Sequence, residues 1–294
     1  MIGRSKDKVI FSIISVIFIL SITLLCILPM ILVVSGSLSS QNSIVKYGYS
    51  FLPQDFTFEA YKIAFSQPTA ILRAYGITIF VTLTGTVSGL FITAMTGYVL
   101  TRKDFEWRNK FSFFFYFTTL FSGGIVPWYI LCVKYLKLND SYLGLILPFL
   151  LNVFNILVMK SFMNSIPEAI TESAKIDGAG DFLIFRKLIL PLAKPALATI
   201  GLFIALSYWN DWFLAFMFIQ DTEKYSLQYY LYKIISGAQA LSNLNNSIAS
   251  DKVQMPTESL KLAMTVIATG PIVFVYPAVQ KYFVKGLTLG SVKG

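Results

Sequence analysis

Long apolar stretches, separated by shorter polar segments, make up most of this chain. Six of them are long enough to cross a bilayer, whose hydrocarbon core takes about 20 residues of α-helix. They lie near residues 9–35, 76–100, 111–133, 141–162, 196–219 and 260–283. The pattern therefore predicts an all-α membrane protein with six transmembrane helices. The first stretch is longer than the roughly 7–15 residues of a signal-peptide core, so we expect a retained helix.

The polar segment 163–195 contains signals for the start of a helix. Ser165 and Glu168 have the spacing of a capping box, and Pro167 suits a first helical turn. We therefore expect a short helix from about residue 166 to residue 176. Such a helix is either a knob presented to another protein or an amphipathic helix on the lipid surface.

The same segment also contains signals for a turn and a second helix. Gly178 and Gly180 predict the turn, because glycine is the usual residue after the end of a helix. Asp181 is then expected to cap a second helix that stops at Pro191.

Two longer polar segments are expected on the outer side. Residues 38–75 carry the aromatic run from Tyr47 to Tyr61, which favours a folded cap over a flexible linker. Residues 220–259 include an Asn- and Ser-rich piece that is too polar for a membrane. Loops of this length are usually either functional or disordered.

Composition and charge agree with membrane insertion. Only 13% of the 294 residues are charged, against about 25% in soluble domains. The net charge of +9 comes from loops between apolar stretches, so it indicates topology and not nucleic-acid binding. Most Lys and Arg residues lie in alternate loops, and the positive-inside rule then places both termini and segment 163–195 in the cytoplasm.

Several chemistries are excluded by residue type. The chain has no histidine, which removes His-based metal sites, catalytic triads and histidine proton relays. Cys26 and Cys132 lie in apolar stretches and are interpreted as small core residues, not as a disulfide. We expect no catalytic residues and no metal site in this chain.

Two spans contain residues that bear on helix packing or on a bend. Small residues recur every four positions in the second span at Gly85, Gly89, Thr93 and Gly97, which favours close helix packing. In the third span, Gly123-Gly124 and the proline at 127 predict a bend.

Aromatic and polar residues in two spans are candidates for contact with substrate. Trp128 and Tyr129 fit an aromatic belt at the membrane surface, or a platform on which a sugar ring stacks. The fifth span contains Trp209-Asn210-Asp211-Trp212. A carboxylate such as Asp211 inside a membrane faces either a water-filled path or another helix that it binds.

The polar segment resembles a known motif. Its residues follow the EAA pattern of ABC importer permeases at these positions: Glu172-Ser173-Ala174, Gly178, Leu188, Leu190 and Pro191. Ser173 replaces the middle alanine and Leu188 replaces isoleucine. The sequence IDGAG, the WND of the fifth span and the tail VKGLTLGSVKG are similar to the carbohydrate branch of that family. The aromatic outer loop is similar to permeases for oligosaccharides and polysaccharide fragments.

This resemblance implies a type I ABC importer permease fold and a role for the polar segment. Its first helix would be a coupling helix that docks on a cytoplasmic ATPase subunit. The residues implied to contact or shape that docking site are Glu172, Ser173, Ala174, Asp177, Gly178 and Pro191. The chain would divide into a first helix and outer loop (1–72), a permease core (73–283) and a cytoplasmic tail (284–294).

The resemblance also implies partners and a location. We expect a multi-pass subunit of the bacterial inner membrane that pairs with a second permease, two ATPase subunits and an extracellular solute-binding protein. ATP and Mg would be bound by the ATPase subunits, because no phosphate-binding loop is present here. The implied function is oligosaccharide uptake. The alternatives are an ABC importer for a non-sugar solute and an ion-coupled carrier.

Overall fold

A computed structural model describes residues 6–247 and 257–291, and in these residues the chain forms helices without a β-strand. The helices up to the polar segment are α1 (Lys6–Ser37), α2 (Gln41–Tyr47), α3 (Glu59–Ala64), α4 (Pro68–Thr101), α5 (Arg108–Leu120), α6 (Ile125–Ile130), α7 (Tyr142–Ile146) and α8 (Val153–Met163). The remaining helices are α9 (Ala169–Ile176), α10 (Asp181–Ile184), α11 (Leu190–Leu192), α12 (Lys194–Trp209), α13 (Phe213–Phe218), α14 (Leu227–Ser247) and α15 (Thr257–Ser291).

Four of the six predicted spans correspond to segments of membrane length in the residues that the structure describes, and a fifth segment of that length overlaps only the first part of the predicted fifth span, 196–219. Two are single helices, Ile10–Ser37 and Pro68–Thr101. Three more are bent pairs that reach the required length and apolarity only together. The pairs are Arg108–Leu120 with Ile125–Tyr135, bent by 115°, Tyr142–Phe149 with Val153–Met163, bent by 48°, and Asp181–Leu192 with Lys194–Trp209, bent by 84°.

The sharpest of these bends lies where the glycine and proline signals predicted it. Gly124 has a φ of +84°, a conformation that is costly for residues with a side chain. The backbone between α5 and α6 is non-helical from residue 121 to residue 124. The prediction of a bend in the third span is therefore confirmed.

The prediction of one continuous helix across the fifth span is wrong. Helix α12 ends at Trp209, and Asn210 leaves the helical backbone with a φ of −89° and a ψ of 0°. Two further residues pass before α13 begins at Phe213. The WND sequence therefore lies in a break between two helices and not inside a helix.

The last part of the chain is more helical than the sequence predicts. Helix α14 covers most of the segment 220–259, which was expected to be a loop, and residues 248–256 lie outside the described residues. The predicted sixth span, 260–283, lies within α15, and this helix continues through the predicted tail as far as Ser291.

The chain divides into two compact units, and the first consists of Met1–Pro68 and Leu231–Pro271. Here the outer segment after α1 is folded, as predicted. The Ser40 side chain caps α2 by accepting from the Ser43 N–H at 3.2 Å, and the Ser43 hydroxyl donates to Asp55. The Gln41 side-chain oxygen accepts from the Glu258 N–H at 2.9 Å, which joins the segment to the start of α15.

The second unit consists of Thr69–Tyr230 and Ile272–Gly294 and is built around α4. The small residues predicted to pack closely are buried. Gly85 lies against the ring of Tyr208 from α12, and a Cβ at Gly97 would be 2.8 Å from Met159 of α8. The close-packing prediction for this stripe is confirmed.

The two cysteines differ in their surroundings. Both are free, as predicted. Cys132 is buried, but Cys26 is exposed on α1, so the prediction that Cys26 is a core residue is wrong. An apolar 18-residue stretch of α1 has no buried residue, which is the pattern of a helix that faces lipid, and burial begins only at the C-terminal end of α1, at Ser35 and Ser37.

Candidate functional site

Helix α9 is the short helix expected in the polar segment, and it ends in a turn at Gly178. Gly178 has a φ of +79°, in the left-handed region that favours glycine. The Gly178 N–H donates to the Lys175 carbonyl at 3.0 Å, and the Ala179 N–H donates to the Ala174 carbonyl at 2.9 Å. These bonds close the helix end. Gly180 has an ordinary φ of −71°, so only Gly178 requires glycine.

The predicted capping box is wrong. Helix α9 begins at Ala169, behind Glu168, and it has no side-chain cap. The Ser165 hydroxyl instead donates to the Phe162 carbonyl at 2.6 Å. Phe162 lies in the last turn of α8, whose carbonyls need a partner. The serine therefore serves the end of the preceding helix, and the next helix starts later than its sequence spacing suggests.

The second helix of the segment also differs from the prediction. Gly180 precedes α10 without a side-chain cap, and the Asp181 carboxylate lies 3.2 Å from Arg102 instead. The predicted stop at Pro191 is close to the observed one, because the helix ends one residue later, at Leu192. A π-helical turn, Phe185–Ile189, precedes the proline, and its shifted hydrogen bonds accommodate a residue that has no N–H.

The residues that carry the motif are mostly on the surface. Glu172, Ser173 and Asp177 are exposed, while Ala174 is half-buried against the core. Ile176 at the end of α9 is 88% exposed, which makes it the most exposed large apolar side chain in the described residues. Sequence reasoning did not single out Ile176. Its signal is an isoleucine between two charged residues, Lys175 and Asp177.

Sequence reasoning also missed a network of charged residues beside α9. Asp104 and Arg102 form a two-point ion pair, with Nε–Oδ1 and Nη2–Oδ2 distances of 2.9 and 2.5 Å. Lys175 of α9 places its Nζ 2.6 Å from Asp104 Oδ2. Hydrogen bonds from Arg102 and then Lys175 hold the pKa of Asp104 far below its usual value. Lys103 pairs in addition with Glu168.

These residues and α9 enclose a cavity of about 320 Å³, and Glu172 is among the residues that line it. Three other carboxylates here, those of Asp104, Glu168 and Asp181, belong to ion pairs. In the described part of the chain, no hydrogen bond or ion pair involves the Glu172 carboxylate. Its charge is therefore available to a cation from outside the chain.

The candidate aromatic residues of the substrate path share α13 as a neighbour. The rings of Trp128 and Tyr129 lie 5.4 and 6.0 Å from the ring of Phe218, at the end of α13. Trp212 lies 6.1 Å from the ring of Phe216 in the same helix. Trp128 is half-buried, and it also lines a cavity of about 700 Å³ beside the break between α5 and α6. Thr118, Thr119 and Ser122 belong to the same lining.

The carboxylate of Asp211 has partners within the chain. Its Oδ1 accepts from the Leu214 N–H at 3.2 Å, at the start of α13. The Asp211 carbonyl accepts from the Ser226 hydroxyl at 3.4 Å. This geometry is that of a helix cap, which satisfies N–H groups left free by the break in the backbone. Asn210 and Trp212, which flank it, are exposed, and Trp209 is half-buried.

Comparison with known proteins identifies the family. Residues 89–289 match the family described as binding-protein-dependent transport system inner membrane component. Over 277 residues, 94% of this chain and 96% of the relative, the chain is 39% identical to the polygalacturonan/rhamnogalacturonan transport system permease protein YtcP of Bacillus subtilis. Over 293 residues, 99% of this chain and 97% of the relative, it is also 39% identical to protein LplC of the same organism.

A solved structure agrees with this match. The chain superposes with a TM-score of 0.77 and 34% identity on a chain from the crystal structure of a bacterial ABC transporter involved in the import of the acidic polysaccharide alginate. The match covers 96% of this chain and all of the other. The chain therefore belongs to the binding-protein-dependent transport system inner membrane components, which are permease subunits of ABC importers that work with an ATPase and a binding protein.

Proposed function

We propose that this chain is one of two permease subunits of an importer that takes up oligosaccharides released from polysaccharides. It pairs with a second, homologous permease and carries its solute between outward- and inward-facing states. Two ATPase subunits bind ATP and Mg in the cytoplasm, where both termini also lie, and one of them docks on α9. A solute-binding protein delivers the oligosaccharide from outside, and lipid surrounds the exposed face of α1. No nucleic acid takes part.

The free carboxylate of Glu172 is the observation that carries the docking role of α9. Neighbouring carboxylates belong to ion pairs within the chain, whereas Glu172 faces a cavity without a partner of its own. Ile176 adds an exposed apolar contact, and the small side chain of Ser173 lets a partner approach the helix closely. A charged group, an apolar tip and small residues on one short helix suit a protein partner with a complementary groove.

The site residues act in different ways in this proposal. Glu172 pairs with a cation of the ATPase subunit, Ala174 allows close approach to the core, and Asp177 and Gly178 shape the turn behind the helix. Pro191 lies farther along, inside the following helical segment.

The identity of the solute is inferred from two kinds of support. One relative is a permease for polygalacturonan or rhamnogalacturonan, and the similar structure belongs to an importer of alginate. In this chain, Trp128 lines the cavity at the break between α5 and α6 together with Thr118, Thr119 and Ser122. Aromatic rings and hydroxyl groups are the contacts that sugars use.

The decisive experiment measures ATP hydrolysis by the assembled complex in nanodiscs. Solute-binding protein is added with fragments of polygalacturonan, rhamnogalacturonan, alginate or maltodextrin, or with amino acids. We expect stimulation by at least one oligosaccharide, and its loss in Glu172→Lys. Glu106→Lys is the control, because Glu106 is an exposed glutamate outside α9 for which the described residues show no ion pair. Stimulation by an amino acid alone would overturn the sugar assignment, and import without any ATPase subunit would establish an ion-coupled carrier.

A further inference from the structure

The loop that follows α4 holds both ends of α9. Lys103 pairs with Glu168, directly before the first residue of α9. Asp104 binds Lys175, in the last turn of α9, at 2.6 Å. Both contacts come from residues that lie within three positions of Thr101, the end of α4. The coupling helix is therefore attached to the end of one membrane-spanning helix at two points.

The attachment at Asp104 is fixed from the side of α4. Arg102 donates a hydrogen bond to each carboxylate oxygen of Asp104, and the Arg102 side chain is only 14% exposed. The guanidinium also lies 5.6 Å from the centre of the Tyr98 ring and donates to the Tyr98 hydroxyl at 3.0 Å. An exposed single ion pair contributes little. A two-point pair that is partly buried holds its geometry much better.

Core packing does not by itself hold α9 in place. None of its eight residues is fully buried, although Ala174 packs against the core at its edge. Asp181, at the start of α10, lies 3.2 Å from Arg102 and 3.8 Å from Lys175, so it joins the same network. Charged contacts to the loop are therefore a main constraint on the position of α9.

We infer that Arg102, Lys103 and Asp104 are positioning residues for the coupling helix α9. They transmit a displacement of α9 to α4 through the Asp104–Lys175 contact. They act through α9 and not by binding the ATPase subunit. The inference rests on the proposed function, because it takes α9 as the surface that the ATPase moves.

A double-mutant cycle on the reconstituted complex tests the transmission. The variants are Asp104→Asn, Lys175→Met and the two together, and the readout is oligosaccharide imported per ATP hydrolysed. We expect each single change to lower this ratio on the order of tenfold, and the double variant to be no worse than either single change, as for residues in direct contact. Arg73→Gln with Glu223→Gln removes an ion pair at the other end of α4 and should leave the ratio unchanged.

Hydrogen exchange of α9 in the same complexes gives a readout that needs no solute. We expect faster amide exchange across Ala169–Ile176 in Asp104→Asn, with the ATPase subunits still bound. A wild-type complex that imports no oligosaccharide contradicts the proposed function, and α9 exchange then decides the inference alone. Unchanged exchange in Asp104→Asn, or additive losses of the import ratio in the cycle, overturns the inference.

Discussion

The ring of Tyr208 occupies the space that a side chain at Gly85 would need. Tyr208 belongs to α12 and Gly85 to α4, so the missing side chain is what allows these two helices to approach. The Tyr208 hydroxyl donates to the Ile146 carbonyl at 2.8 Å, at the end of α7. One tyrosine thus packs against one helix and hydrogen-bonds to another, which explains why a small residue is needed opposite it.

Gly85→Ala should therefore destabilise the protein. The added methyl group forces Tyr208 to move, and overpacking of this kind costs about 1–3 kcal/mol. Gly76→Ala is the matched control in the same helix, because nothing lies within 4 Å of a Cβ at Gly76. Thermal unfolding of the purified protein in detergent should show a lower midpoint for Gly85→Ala and no decrease for Gly76→Ala. Equal midpoints for the two variants would contradict the packing described here.

A second pair of glycines makes a similar comparison at the end of α9. Gly178→Ala places a side chain on a residue with a φ of +79°, which costs about 1–2 kcal/mol. Gly180→Ala has no such cost, since the φ of Gly180 is −71°. We expect weaker retention of ATPase subunits on the immobilised permease for Gly178→Ala only. Equal losses in both variants would mean that backbone conformation at Gly178 is not what matters.

The role of Asp211 can be decided with two substitutions. If its carboxylate caps α13, Asp211→Asn keeps an acceptor for the Leu214 N–H and has little effect, while Asp211→Ala lowers stability by about 1 kcal/mol. Oligosaccharide transport should follow stability in both variants. If transport fails in Asp211→Asn while the unfolding midpoint is unchanged, the charge itself serves the solute path.

Asp140 should make stability depend on pH in the acidic range. Its Oδ1 accepts from the N–H groups of Asp221 at 3.0 Å and Gln220 at 3.2 Å, which hold the pKa of the carboxyl below its usual value. The stabilisation that the ionised Asp140 carboxylate contributes is complete above its usual pKa of about 3.9. It is lost as the pH falls through the lowered pKa of the folded protein.

The unfolding midpoint between about pH 5 and pH 3 should therefore fall more steeply for wild type than for Asp140→Asn. Asparagine keeps an acceptor oxygen and tolerates the φ of +56° at this position. Parallel pH curves for the two proteins would rule out a contribution from the Asp140 charge.

Local composition was enough to predict the two unbroken spans and the bend at Gly124, because these depend on residues that are close in sequence. The break at Asn210 was not predictable in this way. The break lies within an apolar stretch. The Asp211 carboxylate accepts from the Leu214 N–H at the start of α13 only once the backbone has turned. The prediction of a capping box was wrong because the Ser165 hydroxyl had two possible hydrogen-bond partners. It donates to the Phe162 carbonyl at the end of the preceding helix and does not cap the next one.

The charged network was beyond the reach of sequence patterns for another reason. Asp104 and Lys175 are 71 residues apart, and each is an ordinary charged residue in its own segment. Their contact arises only when α4 and the polar segment are packed side by side. For Glu172, the sequence motif was recognisable. That its carboxylate has no ion-pair partner within the described residues could be seen only in the structure.

Helix α4 runs for 34 residues without a break, which is about 50 Å at 1.5 Å per residue. The three bent pairs of the second unit, as far as the structure describes it, turn by 48°, 84° and 115°. A bent segment can absorb a displacement at one end by changing its bend angle, whereas an unbroken helix carries the displacement along its length. The second unit therefore combines one unbroken helix with three segments that are already bent, so a displacement applied to α4 meets fewer places along its path at which it can be absorbed.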